Sequence, residues 1–206
     1  MSIKFIRSHS HSLILLWLSM AIAALAQDNA PVLDTKGDPL LVGEEYYIEP
    51  AITDVGGRVT LVDRDGNCPL YVGQQNGAGS EAYPVIFRPF AEDESVVRVN
   101  RDTKIIFSAI TLCIQSTEWL LGQNDTESGR RLIITGNRGD ERQGGNYFRV
   151  TESQIGGNIY NLEWCPVEAC PFCRFICGTA GGLFEDGKIL LALDGNVLPV
   201  MFVKKE

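Results

Sequence analysis

Two side-chain types decide what chemistry this chain can do: six cysteines are present, and histidine is almost absent. Cys165, Cys170, Cys173 and Cys177 form a C-x4-C-x2-C-x3-C cluster, while Cys68 and Cys113 stand apart. Cys170-Pro171-Phe172-Cys173 has the spacing of a redox pair or of half a zinc site. No βαβ pattern surrounds it, and the leader described below sends the chain to an oxidising compartment. Structural disulfides are the better reading there, although spacing alone selects no pairing. The two histidines, His9 and His11, both fall in that leader. A mature chain without histidine has no usual base for a Ser-His-Asp or Cys-His nucleophile and no imidazole for zinc. The expectation is a protein that is not an enzyme and carries no metal or cofactor.

Weaker constellations have plainer explanations. Asp63-Arg64-Asp65-Gly66-Asn67 starts like a calcium loop, but its sixth position is Cys68 and its twelfth Gln74, so a hairpin turn is expected. Gly77-Ala78-Gly79-Ser80-Glu81-Ala82 approximates a dinucleotide fingerprint without the helix that would follow one. Arg138-Gly139-Asp140 matches an adhesion tripeptide in what reads as a solvated turn. Glu92-Asp93-Glu94 reads as a solvated charged turn, not an acid–base pair. Asn124-Asp125-Thr126 is the sole N-glycosylation sequon.

Residues 1–26 have the form of a signal peptide. Lys4 and Arg7 precede an apolar run from Leu13 to Leu25, and Ala24-Leu25-Ala26 fits a cleavage site. The run is too short and wrongly flanked for a membrane span. Removing it from the 206-residue chain leaves 180 residues, enough for one domain with its own core. All 26 acidic residues remain against 16 of the 18 basic ones, a formal charge of −10. Such a surface suits neither nucleic acid nor anionic membrane. A secreted or vacuolar soluble protein is expected.

No amphipathic helical stretch follows residue 30. Short strand-like runs recur instead: Tyr46–Ile48, Arg58–Val62, Leu70–Val72, Pro84–Phe87, Val96–Val99, Lys104–Phe107, Glu118–Leu121, Leu132–Thr135, Tyr147–Val150, Ile159–Trp164, Ile189–Leu193 and Leu198–Val203. Gly, Asn and Asp clusters separate them, as at Gly56-Gly57 and Gly156-Gly157. This pattern implies an all-β sandwich or closed barrel, and periodicity does not choose between the two.

The run Val32-Leu33-Asp34-Thr35-Lys36-Gly37-Asp38-Pro39-Leu40, followed by Tyr46-Tyr47-Ile48, resembles the N-terminal signature of the plant Kunitz inhibitors, the soybean trypsin inhibitor and miraculin-like family. Trp164 to Gly178 resembles the cysteine-rich stretch of the miraculin-like branch. Pro84-Val85-Ile86-Phe87, Val96-Val97-Arg98-Val99, Ile114-Gln115-Ser116-Thr117-Glu118-Trp119 and Leu191-Ala192-Leu193 match as well. The resemblance covers residues 32–203. It implies an all-β fold, a β-trefoil of twelve strands over residues 27–206 with three disulfides: Cys68 with Cys113, Cys165 with Cys177, and Cys170 with Cys173.

The resemblance also implies a function. Inhibitory members insert a convex loop after the first half-cystine into an endopeptidase cleft, held rigid before binding to reduce the ordering cost. The corresponding region here is Gly73 to Phe90, with the protease-binding residues among Ala82, Tyr83, Pro84, Val85, Ile86, Phe87 and Arg88. The expected partner is an endopeptidase, serine class favoured, met by a monomer. Arg88 is the only basic residue of the loop and precedes Pro89, a poor bait for trypsin; Tyr83, Ile86 and Phe87 suit an apolar pocket. Inhibitory relatives brace the loop with an Asn where this chain has Val42, which has no side-chain amide. The alternative is a non-inhibitory storage, defence or small-ligand-binding protein. Cys68-Pro69-Leu70 matches a piece of a chlorophyll-binding branch, but Tyr71-Val72-Gly73 departs from it.

Overall fold

In the computed structural model the described residues are 29–53, 56–77, 81–136 and 144–206. The proposed leader and its cleavage site lie outside them, as does Arg138-Gly139-Asp140. The chain divides after Ala30, and the fold described is that of the unit Pro31–Glu206.

Three successive four-strand units make up the described strands. The first is β1 (Tyr46–Pro50), β2 (Val59–Val62), β3 (Tyr71–Gln74) and β4 (Val85–Pro89). The second is β5 (Asp102–Phe107), β6 (Trp119–Asn124), β7 (Arg131–Thr135) and β8 (Phe148–Glu152), and the third is β9 (Tyr160–Trp164), β10 (Gly178–Glu185), β11 (Lys188–Leu193) and β12 (Val200–Lys204). The outer strands of each unit close an antiparallel ring, β1–β4–β5–β8–β9–β12 and back to β1. The inner strands form the hairpins β2–β3, β6–β7 and β10–β11, and β3, β7 and β11 pair with one another to cap the ring. This is a β-trefoil.

Side-chain alternation explains the closure. Every ring strand buries alternate residues. These include Tyr46 and Ile48, Val85 and Phe87, Ile105 and Phe107, Phe148 and Val150, Tyr160 and Leu162, and Val200 and Phe202. Their rings interlock at edge or tilted geometry, with Phe87 5.5 Å from Phe202 and Trp119 5.6 Å from Phe107 and 5.8 Å from Phe148. Each buried aromatic or branched aliphatic side chain contributes about 1.5–3 kcal/mol. The threefold repeat is therefore a repeat of burial pattern, with few identical residues.

The expected strands need two corrections. Val96–Val99 is no barrel strand: it makes isolated bridges, Leu41 to Val96 and Pro31 to Arg98, and covers the N-terminal segment. Gly178–Glu185 is a strand that its glycines hide from a propensity reading. A Cβ on Gly181 would lie 1.8 Å from the carbonyl oxygen of Asn196, so the packing of β10 requires glycine there.

Disulfides join Cys68 to Cys113, Cys165 to Cys177 and Cys170 to Cys173. The Val32–Leu40 run is a turn, with Asp34 accepting from the N–H groups of Lys36 and Asp38 at 2.8 and 2.9 Å.

Candidate functional site

The stretch Ala82–Arg88 divides into framework and surface. Val85 and Phe87 lie in the barrel core and Pro84 is buried, its carbonyl accepting from Ser108 N–H at 2.8 Å. Ile86 is half-buried and pairs with Ile106 in the β4–β5 ladder. Val85, Ile86 and Phe87 belong to strand β4, and Pro84 lies just before it. The pleat of β4 turns Val85 and Phe87 inward and leaves Ile86 half-buried along the ladder. Ala82 and Tyr83 precede the strand, half-buried, and Tyr83 donates to the Glu81 carboxylate at 2.9 Å, which raises the phenol's pKa. Arg88 is exposed but sits on the strand, opposite Lys104.

The exposed convex element begins one residue past Pro89. Phe90 is 43% exposed, with one edge against Tyr147 at 5.4 Å, and Glu92 and Asp93 form the tip. Its closure is built from main chain. Phe90 N–H donates to the Asp102 carbonyl at 2.8 Å and Glu94 N–H to the Ala91 carbonyl at 3.2 Å. Val42, which has no side-chain amide, still touches this turn: its own N–H donates to the Ser95 carbonyl at 3.0 Å.

A chain of charges holds the base of the turn. Glu94 pairs with Arg101 at 3.1 Å, and Arg101 with Glu168 at 2.5 Å. Glu168 also accepts the N–H of Asp102, whose fully buried carboxylate takes Arg149 and the N–H groups of Glu168 and Ala169. Glu94 is thus no solvated turn residue. Sequence reasoning missed this network because its members come from β5, β8 and two separate loops; the only local signal is charge at Glu94, Arg101 and Asp102 beside apolar strands.

The remaining candidates resolve simply. Asp63 caps the turn at Gly66, and Arg64 leaves it to pair with Asp125 at 2.8 Å and Glu185 at 2.5 Å, so the segment forms a hairpin turn. Among the described residues only Glu163, Cys165 and Cys177 approach metal-binding proximity, and the two cysteines are spent in a disulfide. Asn124 is exposed at the end of β6.

Comparison with known proteins accounts for this arrangement. A family model described as trypsin and protease inhibitor, of the legume Kunitz type, matches residues 32–204. The chain is 50% identical over 191 residues to Kunitz type trypsin inhibitor 104 of Medicago truncatula, covering 92% of this chain and 93% of that one. It is 34% identical over 192 residues to miraculin of Synsepalum dulcificum, covering 87% and 86%. Among solved structures it resembles a Kunitz-type cysteine protease inhibitor from potato, with a TM-score of 0.73, 31% identity and coverage of 86% and 98%. The burial pattern, the three disulfides and these matches agree, and the chain belongs to the legume Kunitz family of trypsin and protease inhibitors.

Proposed function

We propose that this chain is a secreted, stoichiometric endopeptidase inhibitor, serine class favoured, that presents the turn from Arg88 to Glu94 to the enzyme cleft. The observation that carries the reading is the combination of a tip exposing Phe90, Glu92 and Asp93 with a base closed by main-chain hydrogen bonds and the Glu94–Arg101–Glu168 ion pairs. A turn ordered before binding loses little freedom in the complex. Neither Phe90 nor Ala91 offers a cation to a trypsin-like pocket, and Arg88 is followed by Pro89. Enzymes with apolar or small primary pockets fit better.

A gain-of-function variant tests the placement. Ala91→Arg puts a guanidinium on the turn without touching the core, and trypsin inhibition should strengthen by at least about tenfold. An A91R variant that inhibits trypsin no better than the parent, and retains all other inhibition, would exclude the turn as the contact.

A further inference from the structure

Two cavities adjoin beside the β2–β3 hairpin, and Leu61, Asp63 and Tyr83 line both. The first, about 310 Å³, also takes in Thr60, Gln74, Asn76, Glu81 and Lys188. The second, about 410 Å³, has Leu70, Ile110 and Leu112 in its wall. Ile110 and Leu112 are fully exposed, on the loop that Cys113 ties to Cys68. Both cavities fall in the size range of small-molecule sites.

The polar cavity has its donors already committed. The Thr60 hydroxyl donates to the Glu81 carbonyl at 2.6 Å, Gln74 Nε2 to the Gly57 carbonyl at 3.1 Å, and the Tyr83 hydroxyl to Glu81 Oε2 at 2.9 Å. Asn76 Nδ2 donates to the Gly187 carbonyl, and Lys188 Nζ to the Arg64 carbonyl at 2.6 Å. Acceptors are left over. Gln74 is buried, and its Oε1 has no partner among the described residues, so its dipole adds to the negative potential of the floor. Asp63 uses Oδ1 for the Gly66 N–H and Glu81 uses Oε2 for Tyr83, which leaves one oxygen of each carboxylate unpaired among the described residues.

The two carboxylates also outweigh the one lysine. A cavity with acceptors to spare and a net negative charge selects a cation that donates hydrogen bonds. A metal ion fits poorly, because neither Asp63 nor Glu81 belongs to a group of three ligating residues among those described. The adjoining apolar cavity calls for a cation with an apolar body. The Tyr83 ring, common to both walls, can attract the first part or stack on the second.

We propose that the joined cavities bind a small primary arylalkylamine, its ammonium between the Asp63 and Glu81 carboxylates and its ring on the side of Leu61, Leu70 and Tyr83. The proposal is independent of the inhibitor reading. Tyr83 lies just before β4 and the turn offered to a protease just after it, so the two sites occupy opposite ends of one strand.

The test titrates phenethylamine into the oxidised mature chain by isothermal calorimetry. 2-Phenylethanol and 3-phenylpropionate serve as neutral and anionic counterparts, and methylamine as a cation without a ring. One saturable site for phenethylamine is expected, with the alcohol and methylamine at least about tenfold weaker and the carboxylate unbound. Glu81→Gln and Asp63→Asn remove charge but keep an acceptor for Tyr83 and for Gly66. Each should weaken the amine by about tenfold or more at an unchanged melting temperature. Equal affinity for amine and alcohol, undiminished binding by both variants, or no saturable binding would overturn the proposal. Displacement of the amine by an equal concentration of calcium chloride would assign the carboxylates to a metal and equally overturn it.

Discussion

Asp102 and Glu168 each cap the other's backbone: Glu168 Oε2 accepts Asp102 N–H at 2.8 Å, and Asp102 Oδ2 accepts Glu168 N–H at 2.7 Å. This exchange fastens the cysteine-rich loop between β9 and β10 to the start of β5. Asp102 is fully buried and also holds Arg149, whose side chain is nearly covered. Asp102→Ala strands a guanidinium and two N–H groups, and should cost about 3 kcal/mol. Urea denaturation checks this, with Glu92→Ala at the exposed tip as a control near zero.

Acid should loosen the molecule at a second place. Asp125 accepts from Arg64 and from the N–H of Ser128, which hold its carboxyl well below the usual carboxylate range. A lowered folded pKa stabilises the native state above the unfolded value, about 4, and that contribution disappears as pH falls below it. Asp125→Asn should therefore flatten the fall in melting temperature below about pH 4 while lowering stability at neutral pH. A parallel acid decline in variant and parent would show that Asp125 does not contribute.

The bond between Cys68 and Cys113 spans 45 residues, the longest loop of the three. In the chain-entropy view its removal costs about 4 kcal/mol. The double variant Cys68→Ala/Cys113→Ala should lose that much in urea and should be cut rapidly in the β5–β6 loop. Unchanged stability would mean that the trefoil core alone fixes this region.

Close packing supplies a sharper contrast. Gly181→Ala drives a methyl group into the Asn196 carbonyl and should cost at least about 2 kcal/mol, and Phe87→Ala about 3–5 kcal/mol. Arg88→Ala, one residue away on the exposed face of β4, should change stability by less than about 0.5 kcal/mol. Similar losses at Phe87 and Arg88 would contradict the division of this stretch into framework and surface.

How far these features can be read without coordinates differs by type. Alternation exposes two ring strands, because burial on one face writes a period of two into β8 and β9, while β1 and β4 are read from short aromatic and β-branched runs. Pro84–Phe87 reads as a strand from its continuous apolar, β-branched and aromatic run, and β4 covers Val85–Pro89. β10 escapes because its glycines answer to a contact with Asn196, a residue beyond its own strand. The Glu94–Arg101–Glu168 chain escapes for the same reason. The apolar run around Leu112 is visible in the sequence, but its outward orientation depends on Cys113 being tied inward to Cys68.

The inhibitor reading itself is tested most directly by titrating the oxidised mature chain against trypsin, chymotrypsin, subtilisin and papain, following residual activity and chain integrity together. The expected result is stoichiometric loss of an apolar-pocket serine protease activity with the chain intact and trypsin weakly affected. Full activity of all four enzymes, or rapid cutting between Arg88 and Glu94, would contradict it and leave a trefoil that does not inhibit.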